Sequence, residues 1–202
     1  MIRETHLDRI LNRLSSHFGN RLVVRPPASA AELAGLEAMV GPLPRELTIL
    51  LLTCDGLRVE ADGPKAELHL WHVHEMEHAM CNPPGPAIAP GLVPIRGDLP
   101  GACDYVVAAP GPADGAVIRW DAWVPGASVL ASNVGEYLES WTEFLIAHFD
   151  GNGRKLGDEA ALFDASFAFR RDSGVRDLAP RADIQAWLRQ MDQCVASGAD
   201  FE

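Results

Sequence analysis

Apolar and polar positions change period along the chain, and each period predicts an element. Leu7, Ile10, Leu11, Leu14 and Phe18 fall at i, i+3, i+4, i+7 and i+11, one stripe of a helix that Gly19-Asn20 ends. Leu22-Val23-Val24 predicts a short strand before Pro26-Pro27 breaks the chain. Ser29-Ala30-Ala31-Glu32 has the form of a capping box, in which hydroxyl and carboxylate satisfy orphan N–H groups. It opens a helix with Leu33, Leu36 and Val40 on its apolar face, stopped by Gly41-Pro42. Pro44 suits the first turn of a third helix, 44–53, where its missing N–H is not needed. That helix is apolar nearly all round (Leu47, Ile49, Leu50, Leu51, Leu52), which predicts a central, buried position. Asp55-Gly56 ends it with a pair that tolerates positive φ.

From Leu57 the period becomes strand-like. Leu57 and Val59, then Leu68 and Leu70, flank Asp62-Gly63-Pro64 and predict a hairpin. Val73 to Met80 predicts one short helix, and the proline-rich 82–91 an exposed loop. Val93–Ile95, Tyr105–Ala109, Ala116–Trp120 and Ser128–Ala131 read as strands joined by tight turns, which favours antiparallel pairing. A long helix over 135–149 offers Tyr137, Leu138, Trp141, Phe144, Leu145 and Phe149 to cover the sheet. Asp150-Gly151-Asn152-Gly153 reads as a linker and the clearest boundary. Beyond it, 158–170 and 181–197 look helical, and Leu162, Phe163, Phe167, Ile184, Trp187, Leu188 and Met191 are too apolar for a free tail. The reading is an α+β fold, a mostly antiparallel sheet covered by helices. Its parts are an N-terminal amphipathic helix and linker (1–27), a central domain (28–149) and a C-terminal helical extension (150–202) that docks back.

Composition narrows the function. A chain of 202 residues with 48% apolar content can build a sizeable core and is not disordered throughout. Lys and Arg number 17 against 28 Asp and Glu, a net charge of −11. Such a chain is a poor wrapper of a phosphate backbone and a better match for a basic protein, so a protein partner is expected and nucleic acid is not. The basic residues gather early: 1–25 holds five Arg against Glu4 and Asp8, read as a solvated helix face. No stretch approaches the roughly 18 uncharged apolar residues of a membrane span, and the charged start does not resemble a signal-peptide core. Cys54, Cys81, Cys103 and Cys194 are scattered without Cys-x-x-Cys spacing; they read as reduced, mostly buried thiols of a cytoplasmic protein, with Cys81 packing as a small hydrophobe.

Residues 28–146 carry an ordered set of motifs: Leu43-Pro44 leading into an apolar helix closed by Asp55-Gly56; a strand ending at Leu70-Trp71; Val93-Pro94-Ile95, then Gly101 and Asp104-Tyr105; Ala116-Val117-Ile118-Arg119-Trp120-Asp121; and Ala131-Ser132 before Glu136-Tyr137-Leu138. In order and spacing this segment resembles the SMI1/KNR4 family, also called the SUKH superfamily. It departs from that pattern in lacking Asn at the Asp55-Gly56 turn and in separating Gly101 from Asp104. The resemblance implies an α+β fold with a mostly antiparallel sheet covered by helices. It also implies an immunity-type role, binding and neutralising a toxin, often a nuclease, with no shared catalytic constellation and no cofactor. Other members are regulatory, so an intracellular scaffold without a toxin partner is a further reading.

The chemically sharpest run is His74-Glu75-Met76-Glu77-His78, which fits His-Glu-x-x-His. On a helix His74 and His78 lie one turn apart and can share a zinc ion while Glu75 activates water, the basis of an alternative reading as a zinc-dependent hydrolase. His69, His72 and Cys81 stand near as further ligands. Charged Glu77 and the short span before Asn82-Pro83-Pro84 favour a polar helix whose His/Glu pairs face solvent. Asp98, Asp104, Asp114 and Asp121 lie close to Gly or Pro, where turn chemistry explains them. Trp71, Trp120 and Trp141 read as core, and Trp123 as an exposed loop residue. An acidic binding face is therefore expected around Trp123, Asp121, Asp104 and Asp98.

Overall fold

The stripe beginning at Leu7 folds as helix α1 (Glu4–Phe18) in the computed structural model, which describes residues 4–61, 68–82, 91–98, 102–111, 113–121, 127–157, 163 and 171–197. Leu7, Ile10, Leu14 and Phe18 are all buried, each worth about 1.5–3 kcal/mol relative to exposure. Gly19, at φ +54°, leads a single 3-10 turn into β1 (Leu22–Val24). In α2 (Ala30–Val40) the capping box is closed: Glu32 N–H donates to Ser29 Oγ at 3.2 Å and Ser29 N–H to Glu32 Oε2 at 2.7 Å. Helix α3 (Arg45–Thr53) buries Leu47, Leu50 and Leu51 but leaves Leu52 at 52% exposure, so it is less enclosed than its composition implies. One of its faces rests on the core and the other meets solvent.

At Gly56, φ is +82°, and a Cβ there would lie 2.8 Å from the Leu70 carbonyl oxygen. Only glycine permits this turn to pass under β3. Buried Asp55 beside it accepts the Val73 N–H at 2.8 Å, fixing the first turn of the next helix. The order then runs β2 (Leu57–Val59), β3 (His69–Leu70), α4 (Val73–Cys81), β4 (Leu92–Asp98), β5 (Ala102–Val107), β6 (Val117–Asp121), β7 (Ser128–Ala131), α5 (Val134–His148), α6 (Ser173–Leu178) and α7 (Ala182–Ser197). Two antiparallel sheets result, β1-β2-β3 and β4-β5-β6-β7, and the Trp71 N–H bridges them by donating to the Ile95 carbonyl at 2.9 Å. The fold is α+β. Among the described residues no helix is long and apolar enough to cross a membrane.

Both faces of the larger sheet are covered, which explains its near-continuous apolar strands. One face (Val93, Ile95, Val106, Val117, Leu130) joins the main core with α1, α3 and α5. The other (Leu92, Tyr105, Ile118, Trp120, Val129) packs with Val175, Ile184 and Leu188 of α6 and α7. Phe163 is buried in the main core.

Three readings change. The Asp150–Gly153 turn is not an open linker: the chain reverses tightly, Phe149 bridges Lys155, and a Cβ on Gly151 would lie 2.9 Å from the His17 carbonyl oxygen. The basic stripe of α1 is not merely solvated. His6, Arg9 and Arg13 converge on Glu139 of α5 at 2.8, 2.5 and 2.6 Å. Cys81 is exposed at the end of α4, while Cys54 and Cys103 are buried. The 62–64 turn, the 83–90 loop, Leu162, Phe167 and the rest of the 158–170 helix fall outside the described residues, as do the side chains of Met191 and Cys194.

Candidate functional site

Two groups of polar residues emerge, one sealed and one open. The sealed group is a row across three strands, Arg96 on β4, Asp104 on β5 and Arg119 on β6, set opposite one another by the register. A bulge between Pro94 and Arg96 creates the row. Without the extra residue, Arg96 would face away from Ile95; with it, both face the main core. Asp104 Oδ2 accepts from Arg96 Nε at 2.8 Å and from the Tyr137 hydroxyl at 2.7 Å, and its Oδ1 accepts from Arg119 Nε at 2.8 Å. The Arg96 guanidinium lies 5.4 Å from the Phe163 ring centroid, and Arg119 donates to the Phe163 carbonyl. Burial pushes the Tyr137 hydroxyl well above its ordinary range, and the Asp104 charge adds to this.

This corrects the assignment of Asp104 to a binding face. It is 0% exposed, in mid-strand rather than in a turn, and engaged with two guanidiniums. Asp98 and Asp121 are brought together in the backbone, since both stand opposite Ala102 at one end of the sheet. Their side chains, and all of Trp123, lie outside the described residues. Trp141 and Trp120 are buried, and Trp71 packs between the two cores. Asp114 is exposed in a turn.

The open group lies on α2 and α4, which pack side by side. At Gly35 the two helices are close, and a Cβ there would lie 3.1 Å from Glu77 Oε1. Glu75, the glutamate of the His-Glu-x-x-His run, occupies the third position of α4. Its Oε2 accepts the His72 N–H at 3.0 Å and sits 3.1 Å from His69 Nε2. Burial pushes the Glu75 carboxyl up, but the His69 and His72 hydrogen bonds outweigh it and leave the group below its usual value. His72 is lowered, chiefly by burial. His74 reaches across to α2, with Nε2 3.2 Å from Glu32 Oε1 and Nδ1 3.2 Å from Glu77 Oε2. His78 turns instead to Asn82, 3.4 Å away. His74 and His78 thus have separate partners, and Glu75 caps the helix. Among the described residues no group of three His, Cys, Asp or Glu is arranged to hold a metal ion.

What remains at the surface is a charge pattern. Helices α2 and α4 carry Glu32, Glu37, Glu75 and Glu77 and no Lys or Arg. Met39 is 45% exposed on the same pair. The signal was present in the sequence: 26–44 and 66–95 contain no Lys or Arg. A missing cation has no spacing motif, whereas the histidine run carries one. No family model matches the chain, and no curated protein matches it.

Proposed function

We propose that this chain is a non-enzymatic protein-binding module of the immunity type, which holds a basic partner, a co-encoded toxin, against the α2–α4 face in the cytoplasm. One observation carries the reading: two adjacent helices present four glutamates with no Lys or Arg between them. Unbalanced negative charge on a packed surface speeds encounter with a basic protein and disfavours acidic ones. Exposed Met39 offers a soft apolar contact within the same surface. The resemblance of 28–146 to the SUKH pattern points the same way, and the sealing of Asp104, Arg96 and Tyr137 leaves that polar cluster to architecture.

The test is binding of the adjacent gene's product to the native chain and to a Glu37→Lys/Glu77→Lys variant. Expected is capture by the native chain, weakened by salt, with at least about a tenfold loss of affinity in the variant. Equal binding by the variant, or affinity indifferent to salt, overturns the proposal.

A further inference from the structure

Strand β1 is the outer strand of the smaller sheet, and its free edge is defined by register. The Arg25 N–H donates to the Gly56 carbonyl and the Glu60 N–H to the Arg21 carbonyl. Alternation then turns the backbone of Arg21, Val23 and Arg25 toward β2 and that of Leu22 and Val24 away from it. The Leu22 N–H is used within the 3-10 turn, donating to Gly19. The Leu22 carbonyl and both peptide groups of Val24 remain on the outer edge, where no strand pairs with them among the described residues. Val24 is 41% exposed.

The side chains around this edge run against the charge of the whole molecule. Arg21 and Arg25 bracket β1, and Arg58, 58% exposed, stands opposite Val23. Among the described residues of β1 and β2, Glu60 is the one carboxylate alternating onto the same sheet face, and it pairs with Arg58 at 3.5 Å, which leaves Arg21 and Arg25 in excess there on a chain of net charge −11. A second copy is a poor occupant: antiparallel pairing of Arg21-Leu22-Val23-Val24-Arg25 with itself sets Arg21 against Arg25, and like charges directly opposite are destabilising.

We infer that β1 is a docking edge for an extended acidic segment of a protein partner, added as a further strand. Main-chain bonds to Leu22 and Val24 supply the attachment, and side chains supply the selection. Acids belong opposite Arg21 and Arg25, and apolar residues at the three positions between them. The pattern is acid, three apolar residues, acid, and it reads the same in either strand direction. This edge takes charge of the opposite sign from the α2–α4 face, which it adjoins where Arg25 acts on Glu32.

The probe is a fluorescein-labelled peptide, Gly-Ser-Asp-Val-Val-Val-Glu-Ser-Gly, titrated with the full chain and followed by anisotropy. Its control replaces both acids with lysine. Expected is saturable binding of the acidic peptide, a loss of about tenfold in Arg25→Glu, and recovery when the double variant Arg21→Glu/Arg25→Glu meets the lysine peptide. Val24→Pro removes the outward N–H, which bonds to none of the described residues, so binding falls while circular dichroism and melting stay unchanged. Absence of saturable binding, equal binding of both peptides, or undiminished binding to Val24→Pro overturns the inference and leaves the arginines as guards against edge aggregation. Preference for a single-stranded oligonucleotide over the acidic peptide overturns it as well. A Glu37→Lys/Glu77→Lys chain should bind the peptide like the native one, which separates this test from that of the acidic face.

Discussion

Asp104 is surrounded by charge it cannot share with water. It is 0% exposed, Arg96 is 1% exposed, and the two meet at 2.8 Å. Burial of such a row is sustained only while every partner is in place, because an orphaned charge in the interior keeps its desolvation cost and loses its compensation. Asp104→Asn, nearly unchanged in volume, is expected to destabilise the fold by about 3–5 kcal/mol. Tyr137→Phe, which removes one donor to the same carboxylate, is expected to cost about 1–3 kcal/mol. Urea titrations of the two variants and their combination check this. The double variant should cost less than the two singles together, since both remove parts of one network. Strict additivity would mean that hydroxyl and carboxylate act apart. This row was illegible in the sequence for a definite reason. Period-two alternation puts Val93 and Ile95 on one face and Arg96 on the other, and the bulge that reverses this is marked only by Pro94 and Gly97, which signal an irregularity without fixing which way Arg96 turns. Asp104 looked like a turn residue because Gly101 precedes it closely, whereas its partners lie 8 and 15 positions away.

Elements whose signals are local were legible. The Ser29–Glu32 box is a contact three residues long, and α2 starts where it says. The antiparallel strands declared themselves through short spacers. The start of α4 was less legible, because His72 at its N-cap is not a usual capping residue and the glutamate that closes the turn looked catalytic. That turn carries a pH dependence. His72 is held below its ordinary 6.5, chiefly by burial, and Glu75 below 4.5 by the His69 and His72 hydrogen bonds, which outweigh its own burial. Both groups favour the deprotonated form when folded. Each therefore contributes stability that is present above its unfolded value and lost as pH falls through its folded one. Denaturant midpoints should decline in two stages, one beginning below 6.5 and one below 4.5. His72→Asn should flatten the first, and Glu75→Gln should lessen the second without abolishing it, since Glu139 is also held below 4.5 by the Arg9 and His6 hydrogen bonds. A midpoint that rises on acidification would contradict this sign.

At the scale of the molecule the larger sheet divides two cores, and the chain after α5 crosses from one to the other. Phe163 is buried against Tyr137 and Phe144 in the main core. Val175, Ile184 and Leu188 then close the second. The sequence marked these residues as too apolar to be free, but not that they serve opposite faces, since the side of a sheet a helix covers is set by topology rather than period. Asp172 joins the two layers. It is 3% exposed; Oδ2 accepts the Ser132 N–H at 2.6 Å, while Oδ1 accepts the Ser132 hydroxyl at 3.0 Å and the Gly174 N–H at 2.8 Å. One carboxylate thus caps α6 and pins it to the turn between β7 and α5. Closeness adds to the constraint, as a Cβ on Gly174 would fall 2.5 Å from Ser132 Oγ. Asp172→Ala removes the cap and leaves buried donors unmet, a loss of about 2–4 kcal/mol. Because the described buried side chains of α6 and α7 pack in the second core, the loss should be local. Amide exchange is expected to accelerate over 173–197 and at the β7–α5 turn, while α1 and the body of α5, locked through Leu7, Leu14 and Trp141, keep their protection. Uniform acceleration across the chain would instead make the two cores a single cooperative unit, with Asp172 holding the whole rather than its outer layer.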